Sequence, residues 1–240
     1  MKEEISKIII DGEEYSVPED KKHIEGKAKK YTIDEFREEK ANKIPIFVAP
    51  PKTVSEGVVF GFSNEKSHEK WLKENNLYED YELQKKILEK VKHKISSEGY
   101  EKIKKHQIEE VKEATTKFEE FLKKHSLKFD EIEKIQKLLR DDPYFGKHTH
   151  SIYLYRDIWF QGWGVVLPGK IYPWEFCGRF YNDFRDYGFN DKTSSYWQTD
   201  KAILFQHINF EGAQFYCSKP IIGDLRVFGW NDKASSALVL

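Results

Sequence analysis

Two cysteines in 240 residues, Cys177 and Cys217, cannot build a disulfide framework, and neither sits at a metal-ligand spacing. No run of about 18 apolar residues is present, so the sequence predicts no transmembrane helix. Charge of one sign is lacking too. Forty Lys and Arg stand against 41 Asp and Glu, a net charge of −1 with a pI near 6.7. That balance gives no global attraction to nucleic acid or to an anionic membrane, and neither is expected as a partner. The start, Met1-Lys2-Glu3-Glu4, is acidic and is followed only by Ile8-Ile9-Ile10, which is not a signal-peptide pattern. A cytoplasmic protein is expected, with non-classical export or a spore left open. No Ser/His/Asp or Cys/His arrangement is visible, so no enzymatic activity is expected. His148-Thr149-His150 would place two rings on one face of a strand, but no third ligand lies nearby.

What is present is unevenly divided. Residues 1–150 hold 63 of the 81 charged residues, whereas five of the six tryptophans lie in 151–240. The two parts face different packing problems, and the boundary is placed near His150. The expected fold class is multidomain. It comprises a small α+β unit over 1–76, charged amphipathic helices over 77–142, forming a helical hairpin or three helices, and an all-β part over 151–240.

In the first unit, Asp11-Gly12 between Ile8-Ile9-Ile10 and the alternating Tyr15 and Val17 predicts a hairpin. Thr32 and Glu35 have capping-box spacing for a short helix. Strands are predicted at 45–48 and 58–62, then a helix carrying Trp71 and Leu72. From Leu77 the apolar spacing becomes helical, through Tyr81, Ile87, Leu88, Val91 and Ile95, and breaks at Ser96-Ser97-Glu98-Gly99. A second helix presents Val111, Ala114, Phe118 and Phe121. Asp130 with Glu133 would cap a third, bearing Ile135 and Leu139. These stripes fit either an arm that binds a protein partner or a hairpin packed on itself, its third helix or the α+β unit. They leave the oligomeric state unknown.

The C-terminal part repeats itself. Asn190-Asp191-Lys192-Thr193-Ser194-Ser195 returns as Asn231-Asp232-Lys233-Ala234-Ser235-Ser236, each after an aromatic-Gly-aromatic step. Each phrase concentrates a carboxylate, an amide, two hydroxyls and turn carbonyls, the hard oxygen donors that Ca²⁺ prefers. They are also good turn formers, because Asn, Asp and Ser side chains bond nearby backbone. Asp157-Ile158-Trp159-Phe160-Gln161-Gly162 likewise matches His207-Ile208-Asn209-Phe210-Glu211-Gly212. The two offsets differ because the first copy carries an enlarged loop around 170–178. Motifs are placed at about 151–198 and 202–240, and the strand and turn spacing predicts a β-sandwich.

Each copy resembles a βγ-crystallin Greek-key motif of the microbial calcium-binding type. The resemblance rests on the folded hairpins at Phe160-Gln161-Gly162 and Phe210-Glu211-Gly212 and on the two Asn-Asp-X-X-Ser-Ser phrases. It covers 151–240 only. It implies two Greek keys in two packed sheets and two Ca²⁺ ions, each shared between motifs. Ser194 and Ser235 would donate hydroxyls. Lys192 and Lys233 would donate backbone carbonyls, leaving their side chains free to point into solvent. Asp191 and Asp232 would supply carboxylates, one reaching across to the other motif. Asn190 and Asn231 would shape the turn or add an amide oxygen, and Ser195 and Ser236 would bond the turn. A further carbonyl would come from near Arg156 and Gln206. So few charged ligands imply a dissociation constant of roughly 10⁻⁶–10⁻⁴ M.

The resulting expectation is a non-enzymatic Ca²⁺-binding protein, bacterial and cytoplasmic, linked to stress or dormancy. The alternatives are a crystallin-like protease inhibitor and a scaffold whose N-terminal helices bind a partner. The lack of a signal peptide and of a disulfide framework argues against the inhibitor.

Overall fold

The computed structural model describes residues 5–18, 22–50, 57–95, 100–127, 131–145, 151–169, 179–198, 201–217 and 221–239. The His148/His150 pair, the enlarged loop at 170–178 with Trp174 and Cys177, the break at 96–99 and Asp130 lie outside them. Among the described residues no helix is long and apolar enough to cross a membrane.

Strands β1 (Lys7–Ile10) and β2 (Glu13–Ser16) form the expected hairpin. Asp11 and Gly12 take φ of 47° and 89°, as a tight turn between twisted strands requires. Two three-residue strands not foreseen in the sequence follow, β3 (His23–Glu25) and β4 (Lys30–Thr32). The capping box then opens helix α1 (Ile33–Glu39): Glu35 N donates to Thr32 Oγ1 at 3.1 Å, and Thr32 N to Glu35 Oε2 at 2.8 Å. Strands β5 (Ile46–Ala49) and β6 (Val58–Phe62) precede α2 (Glu65–Glu74), which buries Leu72 and lays Trp71 on Phe60 and Phe62.

Helices α3 (Tyr78–Ile95), α4 (Tyr100–Lys124) and α5 (Ile132–Asp141) come next. Glu131 is the N-cap of α5 and makes no side-chain cap, so the expected Asp130 cap is not the one used. The strands of the C-terminal part are β7 (Ser151–Tyr155), β8 (Gly164–Pro168), β9 (Arg179–Tyr181), β10 (Ser195–Gln198), β11 (Ala202–His207), β12 (Glu211–Cys217), β13 (Ile221–Ile222) and β14 (Ser236–Val239).

Among the described residues ten strands make one mixed sheet, ordered β4-β3-β2-β1-β6-β5-β12-β11-β14-β9, and four make a second, ordered β13-β10-β7-β8. Strands β9 and β13 are exchanged, since each joins the sheet built mostly by the other repeat. Inward residues from both sheets, among them Leu154, Tyr196, Leu204, Phe215 and Ala237, share one core.

Two findings depart from the expected layout. Strand β5 pairs in parallel with β12, Phe47 opposite Phe215, so strands on both sides of the expected boundary belong to one sheet. All four β5 residues are buried, as expected of a central strand covered on both faces. In addition, the apolar stripe of α4 covers the outer face of the four-stranded sheet instead of folding back on a helical hairpin. Phe118 packs on Tyr153 (4.7 Å) and Trp197 (6.0 Å), themselves stacked at 3.7 Å, and Ile135 and Leu139 of α5 join this cluster. Arg179 pairs with Glu110 of α4, whose neighbour Gln107 donates to Phe180 O at 3.2 Å. A flat aromatic face on the central strand pair β10 and β7 needs a cover, and α4 supplies it.

Candidate metal centre

Each repeat carries the same chain of local causes. A short 3-10 turn, Phe184–Tyr187 or Arg226–Phe228, ends at a left-handed glycine, Gly188 (φ 67°) or Gly229 (φ 64°). The next aromatic, Phe189 or Trp230, is buried and anchors the phrase to the core. Asp191 and Asp232 then take φ of 50° and 55°, conformations that Asp tolerates better than most residues. Asn190 Nδ2 donates to Asp191 Oδ2 at 2.6 Å, and Asn231 Nδ2 donates to Asp232 Oδ2 in the same way.

The repeats are then laced together, bond for bond. Asp191 N donates to Ala234 O at 3.1 Å and Asp232 N to Thr193 O at 3.0 Å. Leu225 N reaches Ser194 O at 2.9 Å, and Phe184 N reaches Ser235 O at 2.8 Å. Ser195 Oγ donates to Asp157 O at 2.7 Å and accepts from Phe160 N at 3.1 Å; Ser236 Oγ donates to His207 O at 2.6 Å and accepts from Phe210 N at 3.1 Å. Both serines are buried and committed to these backbone groups, which leaves them structural. The folded hairpins they hold bend so sharply that Phe160 and Phe210 themselves take φ of 61°. Gly162 (φ 73°) and Gly212 (φ 77°) lie beneath Asp157 and His207, where any Cβ would collide with those side chains.

The residues singled out in the sequence fall as follows. Ser235 Oγ donates to Asp191 Oδ1 at 2.9 Å, a contact between repeats. On the other side Ser194 Oγ donates to Arg156 O, and the Asp232 carboxylate lies close to the same hydroxyl. Arg156, Asp191, Lys192, Ser194, Asn231 and Asp232 line one open cleft, with Asp157 and Ile158 beside them. The side chain of Gln206 accepts from Ala213 N at 3.4 Å, so any part it takes is through its carbonyl.

Of the two lysines, Lys233 differs from the solvent-facing expectation. Lys192 is exposed, but its Nζ donates to Gly188 O at 2.8 Å and lies 5.8 Å from the Trp163 ring centre. Lys233 is half-buried, and its Nζ donates to Asn42 Oδ1 at 2.8 Å. Burial, with Arg37 close by, holds the Lys233 pKa below its ordinary value. The expectation failed here because a residue 191 positions away covers the turn.

Electrostatically the cleft is short of positive charge. Burial raises the Asp232 pKa; Ser194 and Arg156 oppose that, while the nearby Asp191 and Asp157 carboxylates add to it. Asn190 Oδ1 is buried without a partner. Among the described residues no three His, Cys, Asp or Glu side chains cluster as a metal site, so any cation here takes mostly hydroxyl and carbonyl oxygens. Such a donor set fits a hard, oxygen-seeking cation and not a soft one. Asp157, Thr193 and Asn42 are the site neighbours that sequence reasoning passed over. The first two sat inside the matched phrases, whereas nothing local marked Asn42.

No family model matches the chain, and no curated protein matches it. Solved structures do match. They include a βγ-crystallin domain from Flavobacterium johnsoniae, 31% identical, over 37% of this chain and 92% of that one, TM-score 0.29. Spherulin 3a from Physarum polycephalum is 27% identical, over 37% and 81%, TM-score 0.28. A βγ-crystallin from Ciona intestinalis is 23% identical, over 38% and 99%, TM-score 0.32. In that share of its length the chain is βγ-crystallin-like. The likeness spans about 38% of the chain, so the greater part has no counterpart in these βγ-crystallin domains.

Proposed function

We propose that the βγ-crystallin-like part is a two-Greek-key domain that binds two Ca²⁺ ions, each between the repeats, without catalysing a reaction. Supporting this reading above all is the contact between Ser235 Oγ and Asp191 Oδ1, which brings oxygens of both phrases to one point. One ion would be held by Asp191, Ser235 and the carbonyls of Lys233 and Gln206. The other would be held by Asp232, Ser194 and the carbonyls of Lys192 and Arg156. Asn190 and Asn231 would orient the carboxylates. Bound Ca²⁺ would neutralise the crowded Asp191, Asp232 and Asp157 carboxylates, and the serine hydroxyls would turn from donating to accepting. With one carboxylate per ion, a dissociation constant of roughly 10⁻⁶–10⁻⁴ M is expected. A role in stress or dormancy fits sites that fill only when calcium rises.

The scaffold reading has less support, because α4 already lays its apolar stripe on the chain's own sheet. Calorimetric titration of the full chain with Ca²⁺ is the test. Two bound ions are expected, with one lost in each of Asp191→Ala and Asp232→Ala. Absence of heat and of any shift in melting temperature would refute the reading.

A further inference from the structure

The two turns make the same internal backbone bonds but have different neighbours. In the first, the lysine braces its own turn through Gly188 O, and a Cβ added at Gly188 would meet only the Trp163 ring, at 3.8 Å. In the second, Lys233 reaches Asn42 Oδ1 in the 3-10 turn Ala41–Lys43 that follows α1. Gly229 lies flat against that turn. A Cβ there would sit 2.8 Å from Asn42 Oδ1, 3.3 Å from Arg37 Cγ and 3.4 Å from Ala41 Cβ. Ala41 is buried, and Phe47 of β5 packs 5.9 Å from Phe228, so the contact is part of a packed junction.

From this we infer that Asn42 is a positioning residue for the second turn, through which the N-terminal unit raises the affinity of the Asp191–Ser235 site, which takes a hydroxyl and a carbonyl from that turn, more than that of the Asp232–Ser194 site, which takes only the Asp232 carboxylate from it. The inference rests on the Ca²⁺ reading above and adds an asymmetry to it. A turn whose backbone is already held loses less freedom when a cation orders it, so it binds more tightly. By linkage the reverse holds: a cation at the Asp191–Ser235 site tightens the docking of the N-terminal unit by the same factor.

Two measurements on the full chain test it, comparing wild type, Asn42→Ala and Asn42→Asp, which keeps an acceptor oxygen. Hydrogen exchange without metal comes first. Asn42→Ala is expected to speed exchange at the Ser235 amide, which bonds Phe205 O within its own repeat, while leaving the Ser194 amide, which bonds Tyr155 O, unchanged, and Asn42→Asp to restore protection. In a Ca²⁺ titration, Asn42→Ala is expected to weaken one of two binding events roughly fivefold, the low end of site-to-site coupling, and the other by less. Equal acceleration in both turns, no acceleration, or an equal weakening of both events overturns the proposal. A wild-type chain that takes up no Ca²⁺ would refute the cation reading instead, and the exchange pattern alone then decides whether Asn42 holds the turn.

Discussion

At the turn 184–195 the lysine braces its own Gly188 and α4 reaches only the leading 3-10 segment, through Lys104 to Asp186 at 2.9 Å, whereas the matching turn at 225–236 lies against Arg37, Ala41 and Asn42 of the N-terminal unit at its glycine and lysine. Inside each turn the backbone hydrogen bonds correspond one for one. The lesson is that a repeated motif fixes the geometry of a site, and what packs on its outer side fixes how firmly that geometry is held. The four-stranded sheet makes the same point. Its outer aromatics are covered by α4, while the other repeat's outer face meets α2 and α3 through His68, Tyr81 and Tyr216.

The largest effect that bears on this comparison comes from the aromatic anchors. Phe189→Ala and Trp230→Ala should each cost about 3–5 kcal/mol, because both side chains are fully buried. Trp230 also packs 5.5 Å from Phe215, opposite β5, so its loss should loosen β5 and β6 in hydrogen exchange while the loss of Phe189 should not. Equal patterns in the two variants would erase the distinction between the repeats.

Acid is expected to act on the packing against the second repeat through His68. His68 is completely buried against Phe62, Tyr81 and Tyr216, both of its ring nitrogens lack a hydrogen-bond partner, and burial lowers its pKa to about 4. The opposing influence of Glu65 is the smaller one, and Lys85 adds to the lowering. The folded chain therefore keeps His68 neutral while the unfolded chain takes up a proton near pH 6.5, so stability is intact above that pH and falls as pH drops toward 4. The loss should reach about 3 kcal/mol, from about 1.4 kcal/mol per pKa unit. Urea unfolding at pH 7 and pH 4.5 should show it in the wild type and largely remove it in His68→Phe. An unchanged pH dependence in that variant would assign acid sensitivity elsewhere.

Much of this was legible in the sequence where the signal is local. The twin phrases, the Gly162 and Gly212 hairpins, the Asp11-Gly12 turn and the Thr32/Glu35 cap each depend on neighbours within a few residues, and each takes the backbone form its residues demand. Strands β3 and β4 were not legible, because three residues with one buried position each give too short an alternation. The parallel pairing of β5 with β12 and the cover that Phe118 gives to Trp197 join residues far apart in sequence, and no spacing rule reports such contacts. Asn42 escaped for the same reason: alone it is an exposed turn residue, and only the fold puts it beside Lys233.

The most direct measurement counts bound Ca²⁺ in two double variants of the full chain. If each ion is shared across the repeats, Asp191→Ala with Ser235→Ala damages one site and should leave one ion bound. Asp191→Ala with Ser194→Ala damages both sites and should leave none. The opposite pattern, one ion kept by the Asp191/Ser194 variant and none by the Asp191/Ser235 variant, would contradict shared sites and make each phrase a site by itself.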